Sequence, residues 1–485
     1  MGRFANPTRW ALSSIGVAGA ARILCGPLPL NYYDIGYALI WGREITRGHL
    51  PDFRTQAAST PHPLATAYAA LAAAFGAHGS WLAVQIVLFL AFGIVCVSLF
   101  ALVAALFHSR LAAVLAAGAL GLSPPFLTDA LGGSGLADLP ALALVLAAAA
   151  LEARRPRRGL APLVLLALAG LLRPEAWGLA GLYWLWLVAM GGSSTKRLLG
   201  LASLVVAAPA LWLLGDAAIA GDATYSLTHT QAASKRGTFA TGLTHAPGEA
   251  ARDLRALLGL PVLLVGLLGA GAALVRVRTR RSAALPLILL GAALAEFALL
   301  GLLRVPLLER FLLLAAAMLA AFFGYALVCL RAVVPGRSLR AGAAALAALL
   351  IAFVLLSDAT RLRHIRRDQR ASTRAQADLV SFGASAPVRS AVASCAPALY
   401  APRFTLISLM SYDFDVSPKL ISRTQAQAPA RGLVLAPATA AAGHFFGADG
   451  ERLRVLRASS LRGLHPVAAD RSWRLYARGC AGQPG

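Results

Sequence analysis

Residues 82–107 read LAVQIVLFLAFGIVCVSLFALVAALF, without one Asp, Glu, Lys or Arg. In hydrocarbon such a run satisfies its backbone as a helix, and about 20 apolar residues suffice to cross a bilayer. The next three residues, His108-Ser109-Arg110, form a short polar turn that ends in an arginine. The same alternation of apolar run and short polar turn recurs along the chain. Windows of spanning length predict about eleven transmembrane helices, near 10–28, 82–107, 111–127, 137–152, 160–174, 176–192, 198–214, 258–275, 283–303, 311–330 and 341–357. Composition agrees: of 485 residues 58% are hydrophobic and 14% charged, with a mean hydropathy of +0.68. A soluble domain keeps about a quarter of its residues charged, so a soluble enzyme, a disordered chain and a fibrous repeat are all excluded. The net charge of +24 does not point to nucleic acid, because the basic residues sit in short runs between apolar stretches, where they set topology.

Those runs fix the orientation. Segments 108–110, 152–158 (EARRPRR), 195–197, 276–281 (RVRTRR) and 331–340, with Arg3 and Arg9, hold a single acid, Glu152. The alternate turns carry Asp34, Glu44, Asp52, Asp129, Asp138, Glu175, Asp216, Asp222 and Glu309. The positive-inside rule puts the N-terminus in the cytoplasm and these carboxylates outside. With an odd number of spans, residues from about 358 to 485 are outside as well. The expected location is the cytoplasmic (inner) membrane, spanned many times. The first apolar run reads as a retained span, since no small-residue cleavage motif precedes the polar segment after it.

The expected organisation is a transmembrane domain over 1–357, with outer loops 29–80 and 215–257, and a small extracytoplasmic α/β domain over 358–485. Strand-like pieces in the tail are Phe404-Thr405-Leu406-Ile407, Gly432-Leu433-Val434-Leu435 and Trp473-Arg474-Leu475-Tyr476. Its opening stretch, RLRHIRRDQRASTR at 361–374, reads either as an amphipathic helix on anionic head groups or as a solvated connector. Five cysteines are too few for a disulfide scaffold. Cys25, Cys96 and Cys329 read as small apolar fillers within spans. Cys395 and Cys480 both fall in the outer, oxidising compartment and are expected to pair.

Charge at the outer ends of apolar helices is costly unless paired, solvated or functional, which directs attention to the outer carboxylates. The first loop runs Asn31-Tyr32-Tyr33-Asp34-Ile35-Gly36-Tyr37, then Trp41-Gly42-Arg43-Glu44, Gly48-His49-Leu50-Pro51-Asp52-Phe53 and Thr60-Pro61-His62-Pro63-Leu64. Two helical pieces, about 33–47 and 62–76, are expected in it.

An arginine late in the first span (Arg22), an aspartate opening the first outer loop (Asp34), a G-x-x-P-D segment and a His-Pro-rich motif together resemble the GT-C glycosyltransferases. Within them the pattern is most similar to bacterial relatives of protein O-mannosyltransferases and of the lipid A aminoarabinose transferase. Those enzymes often show Asp-Glu at the loop start and His-Pro-Pro-Leu later; here stand Asp34-Ile35 and Pro61-His62-Pro63-Leu64, so the second acid is missing. Leu172-Arg173-Pro174-Glu175-Ala176-Trp177, Leu308-Glu309-Arg310-Phe311-Leu312-Leu313 and Gly221-Asp222-Ala223-Thr224-Tyr225-Ser226-Leu227 resemble further motifs of such enzymes. The resemblance covers about residues 10–357, with a weaker likeness in the tail. It implies transfer of a sugar from a polyprenyl-phosphate donor to an acceptor hydroxyl on a glycan, lipid or protein at the outer leaflet, with inversion. Such chemistry needs a base for the acceptor proton, which a carboxylate supplies, and positive charge for the leaving phosphate, which the bidentate fork of arginine supplies. Asp34 is the candidate base. Arg173, Arg310, Arg22 and His62 are candidates for the phosphate, and Glu44, Asp52, Glu175, Asp222 and Glu309 for acceptor binding or support.

Plainer readings stand beside these. Asp34 is equally suited to cap a helix, Glu44 to a solvated position beside Arg43 and Arg47, Asp52 to a turn, and His62 to a structural place between two prolines. Arg173 with Glu175, and Glu309 with Arg310, read as ion pairs. Asp129 and Asp138, flanking Gly132-Gly133-Ser134-Gly135, read as a solvated loop with acceptor binding as the alternative, and Lys235-Arg236 as surface with binding of an anionic glycan as the alternative. There is no G-x-x-x-x-G-K-[ST], H-E-x-x-H or C-x-x-C, so neither ATP-driven transport nor a zinc site is expected. Asp413-Phe414-Asp415 is a lone D-x-D spacing in the tail. No cofactor and no metal are expected. The rival is a non-catalytic flippase or transporter of lipid-linked sugar on a GT-C-like scaffold, which would favour charge at mid-membrane; Glu296 in the ninth span is the clearest such residue.

Overall fold

The computed structural model describes residues 7–28, 33–55, 58–128, 131, 135–236, 240–277, 283–333, 336–395, 399–401, 403, 405–423, 431–446 and 464–480. Asp129, Gly132, Gly133, Ser134, Phe404 and most of the 276–281 basic turn lie outside them, as do the side chains of Lys235, Arg236 and Cys329. In chain order the helices are α1 (Pro7–Cys25), α2 (Tyr33–Thr46), α3 (Pro63–Ala73), α4 (Gly76–Phe107), α5 (Arg110–Gly121), α6 (Pro124–Thr128), α7 (Gly135–Arg154), α8 (Leu160–Gly170), α9 (Glu175–Met190) and α10 (Thr195–Ala220). There follow α11 (Tyr225–Arg236), α12 (Ala246–Leu258), α13 (Leu260–Arg276), α14 (Ala284–Leu302), α15 (Leu313–Val333), α16 (Arg337–Ala384), α17 (Ala386–Cys395), α18 (Thr405–Asp413) and α19 (Ala440–Phe446). The strands are β1 (Leu399–Ala401), β2 (Ile421–Arg423), β3 (Gly432–Pro437), β4 (His465–Ala469) and β5 (Trp473–Arg478).

A helix stands at each of the eleven expected spans. Among the described residues, six are long and apolar enough to cross a membrane: α4, α7, α10, α14, α15 with the turn before it, and α16. α12 and α13 together make a seventh, bent by 114°. The bend falls at Gly259, whose φ of 74° suits a residue without a side chain, with Pro261 just inside α13. α1, α5, α8 and α9 do not meet that measure; α5 and α8 have only 12 and 11 residues. α8 and α9 are separated at Arg173-Pro174, where a following proline disfavours continued helix. The protein is an all-α polytopic membrane protein with a small α/β portion in its tail.

The chain divides into two compact units. One comprises Met1–Leu24, His62–Leu64 and Val87–His364; the other Cys25–Pro61, Ala65–Ile86 and Ile365–Gly485. This differs from the division expected at 357: the first loop, apart from His62–Leu64, belongs with the tail, and the residues just past 357 continue α16. The stretch 361–374 is accordingly the middle of a 48-residue helix, and not a separate surface helix or an irregular connector.

In the first unit, helices approach through glycine. A Cβ added at Gly93 would overlap the Ser14 carbonyl oxygen of α1, one at Gly269 the Phe322 carbonyl oxygen of α15, and one at Gly324 the Ala112 carbonyl oxygen of α5. Such small-residue contacts suit a membrane, where packing and not water exclusion holds helices together. A second cluster joins α7 to α10 through Val145, Leu163, Leu166, Ala180, Leu187 and Leu201.

In the second unit, the strands form one sheet in the order β2-β1-β3-β5-β4. β1 lies parallel to β2 and β3, whereas β5 runs antiparallel to β3 (Val434 opposite Tyr476) and to β4. β5 alternates buried Trp473, Leu475 and Ala477 with more exposed neighbours, as a strand covered on one face should. Of the segment read as strand from Phe404 to Ile407, Phe404 lies outside the described residues and Thr405, Leu406 and Ile407 instead open α18, with Leu406, Leu409 and Met410 buried at helical spacing. A disulfide joins Cys395 to Cys480 across 85 residues, with Cα atoms 5.0 Å apart. Closing a loop that long restricts the unfolded chain, worth about 2–5 kcal/mol. Cys395→Ser is therefore expected to lower the denaturation midpoint of the tail and to expose one thiol to labelling in unreduced, denatured protein. Two labelled tail thiols in the wild type would show that the bond is absent.

Asp413 ends α18. Its Oδ1 accepts from the Trp81 indole at 3.1 Å, while Oδ2 is buried without a hydrogen-bond partner. Burial holds its carboxyl at about 7, against the pull of the Trp81 bond and of Arg43. The folded pKa lies above the unfolded one, so its contribution to stability is complete below about 3.8 and is lost as pH rises to about 7. The loss is on the order of 4 kcal/mol. Amide exchange in the tail should quicken as pH rises across that window, beyond intrinsic base catalysis, and Asp413→Asn should flatten the excess.

Candidate active site

Three helix starts meet in the first unit. α8 ends at Gly170, the chain turns through Leu171 and Leu172, and Arg173 donates its backbone N–H to the Ala169 carbonyl at 2.8 Å. Pro174 then enters α9 with φ −60°, placing Glu175 in its first turn. Asp138 stands in the first turn of α7, and Arg310 in the 3₁₀ turn Glu309–Leu312 that leads into α15. Arg173 Nη1 lies 3.1 Å from Asp138 Oδ1, and its Nη2 3.0 Å from Glu175 Oε1. Arg310 Nη1 is 4.0 Å from the other Asp138 oxygen. Both guanidiniums also face the Phe311 ring, at 4.5 and 5.7 Å.

These groups line a cavity of about 70 Å³ with Glu296, Ala141, Leu142, Leu179 and Leu314. Its lining combines charged side chains with aliphatic ones. Glu296, from α14, thus joins the arginine cluster.

His62 completes the group. Leu64 N–H bonds the Leu171 carbonyl at 3.1 Å, which ties the Pro61-His62-Pro63 turn to the loop carrying Arg173. The imidazole stands edge-on to Trp212, centroids 5.6 Å apart, and Trp212 edge-on to Trp177 at 5.8 Å. Trp212 is held by Ser226, whose Oγ accepts its indole N–H at 3.0 Å and donates to Asp216 at 3.0 Å. Burial, then the charges of Arg173 and Arg310, press the His62 pKa down to about 3. His62 is neutral throughout the physiological range: a hydrogen-bonding group here, not a cation.

The structure therefore gathers Arg173, Arg310, His62 and Glu175. Arg22 is exposed in the last turn of α1. Asp222 accepts from the N–H and hydroxyl of Thr224, both at 2.9 Å, at the start of α11. Glu309 faces Arg252 and Asp253 on α12 and makes no ion pair with Arg310. Asp34, Glu44 and Asp52 belong to the second unit. Asp34 lies in the first turn of α2, a place that suits negative charge. Glu44 accepts the Asp52 N–H at 3.0 Å, and burial raises its carboxyl. Asp52 pairs with Lys419 at 2.7 Å, while its carbonyl accepts the Trp41 indole at 3.2 Å.

Asp138 corrects the reading of its segment as a solvated loop: it is 5% exposed and anchors Arg173. Nothing local announced this, because its partners lie 35 and 172 residues away. Asp413 and Asp415 do not act as a D-x-D pair. Asp413 is buried against Trp81, and Asp415 forms ion pairs with Arg43 at 3.0 Å and Arg47 at 2.9 Å.

No family model matches the sequence, and no curated protein is similar to it in sequence. Solved structures are similar in fold. ArnT from Cupriavidus metallidurans, bound to undecaprenyl phosphate, superposes with a TM-score of 0.57 at 14% identity, over 97% of this chain and 98% of that one. Its apo state gives 0.58 at 13% identity, with the same coverage. The Archaeoglobus fulgidus oligosaccharyltransferase in its apo form gives 0.50 at 12% identity, over 85% of this chain and 64% of that one. Over nearly its whole length, the chain has the fold of the GT-C glycosyltransferases.

Proposed function

We propose that this protein is a membrane glycosyltransferase that moves a sugar from a polyprenyl-phosphate donor to an acceptor hydroxyl at the extracytoplasmic face. The observation that carries the reading is the cavity in which Arg173 and Arg310 converge beside an aliphatic wall. Its guanidiniums match a phosphate and its aliphatic side chains a prenyl chain. The fold shared with a protein solved bound to undecaprenyl phosphate supports the same reading. Asp34 takes the acceptor proton, the acceptor oxygen bonds to the anomeric carbon, and the bond from that carbon to the phosphate oxygen breaks. Polyprenyl phosphate leaves with its electron pair, held by the guanidiniums, and the configuration inverts. His62 donates or accepts a neutral hydrogen bond beside them, and Asp138 and Glu175 hold Arg173 in place. Two arginines supply the positive charge, so this chemistry calls for no metal.

The test uses proteoliposomes of the purified protein, charged with lipid extract from a deletion strain, which retains both donor and acceptor. A new glycosidic product by mass spectrometry, with release of polyprenyl phosphate, is the expected result. Movement of lipid-linked sugar between leaflets without product would establish the flippase instead.

A further inference from the structure

α2, which carries Asp34, rests on residues 405–419 of the tail within the second unit. A Cβ added at Gly36 would overlap Ser408 of α18, so the two helices meet where α2 has no side chain. Nine residues after Asp34, Arg43 donates Nη1 to the Tyr412 carbonyl at 2.8 Å and Nη2 to the Ser411 carbonyl at 3.1 Å. Its guanidinium lies 4.9 Å from the centre of the Tyr412 ring. Those carbonyls belong to the last turn of α18, where a helix supplies no N–H donors of its own and its dipole favours a cation; the Ser411 carbonyl also accepts the Val416 N–H at 3.1 Å. Arg43 thus caps α18 from a helix more than three hundred residues earlier. Asp415, just beyond, bonds Arg47 through both oxygens at 2.9 Å and Arg43 at 3.0 Å. At about 100° per residue, Gly36 and Arg43 share one side of α2, roughly opposite Asp34, and Arg47 lies in the turn just past the end of the helix.

We propose that Arg43 is a positioning residue: by capping α18 it fixes the roll of α2 about its own axis, and so the direction in which Asp34 is presented. The tail is then part of the transfer apparatus and not an accessory domain. This rests on the reading of Asp34 as base.

In the proteoliposome assay, Arg43→Ala is expected to slow single-turnover transfer by about 10–100-fold, with undecaprenyl phosphate affinity within twofold of wild type. Gly36→Ala should act in the same direction, and Arg43→Lys should lose less, because it keeps the charge but not the fork. Both serve if Arg43→Ala folds poorly, as judged by its melting temperature. The decisive arm is coupling: in the Asp34→Asn background, Arg43→Ala should cost nothing further, whereas a merely structural loss would multiply. Transfer by Arg43→Ala within threefold of wild type, an undiminished effect in the Asp34→Asn background, or a parallel fall in undecaprenyl phosphate affinity would each overturn the proposal. Near-normal turnover by Asp34→Asn would overturn the base assignment itself, a separate result from an inactive Asp34→Asn beside an unimpaired Arg43→Ala.

Discussion

Asp34→Asn is expected to reduce transfer by about 10²–10⁴-fold, the range that a lost general base typically costs. The substitution is chosen for what it preserves. Asparagine is nearly isosteric and caps a helix about as well as aspartate, so the first turn of α2 should stay formed while the proton acceptor disappears. Asp34→Ala removes both functions and cannot separate them. Undecaprenyl phosphate binding should change less than twofold, since in this mechanism the phosphate is held by other residues. The measurement is the single-turnover rate together with that affinity. Near-normal turnover by the asparagine variant would reduce Asp34 to a cap.

Arg173→Ala should be the most damaging change in the first unit. It removes one of the two arginines proposed to hold the phosphate and also leaves Asp138 and Glu175 buried beside a missing partner. Breaking a buried pair in this way costs about 3–5 kcal/mol of stability, so inactivity alone would be uninformative. Arg310 separates the effects, because its contact with Asp138 is long at 4.0 Å. Arg310→Ala should fold, and should lose about 1.5–3 kcal/mol of undecaprenyl phosphate binding, the worth of a charged hydrogen bond, or roughly 10–100-fold in Kd. Arg173→Lys should keep most stability and lose the fork. Wild-type affinity in Arg310→Ala would remove that residue from the phosphate site.

The spans were legible because hydrocarbon imposes a length that a short window can read, and the eleven expected positions each carry a helix. Length was less legible: α8 and α9 are short because Pro174 ends one and opens the next. The first loop also read well, with α2 and α3 close to the expected 33–47 and 62–76. α18 did not. Thr405-Leu406-Ile407 has strand-like propensity, and only burial on several sides, against α2 among others, makes helix the better solution. Of the site, Arg173, Arg310 and, beside the cavity, His62 were visible as motifs, whereas Asp138 was hidden because its worth comes from partners distant in sequence. Asp413 and Asp415, whose lone D-x-D spacing carried no site in the sequence reading, sit at a helix end that turns the two carboxylates to different tasks.

The cap that Arg43 places on α18 has a consequence for biosynthesis. The carbonyls that it binds are 368 and 369 residues further along the chain. At 5–20 residues per second, a ribosome needs roughly 20–70 s to make that interval. Throughout it, the side of α2 bearing Gly36 and Arg43 waits without its counterpart, exposed to chaperones and proteases. A stalled or prematurely terminated polypeptide would insert most of its helices yet never seat this one, so newly made copies should acquire turnover only after the tail has been made and folded.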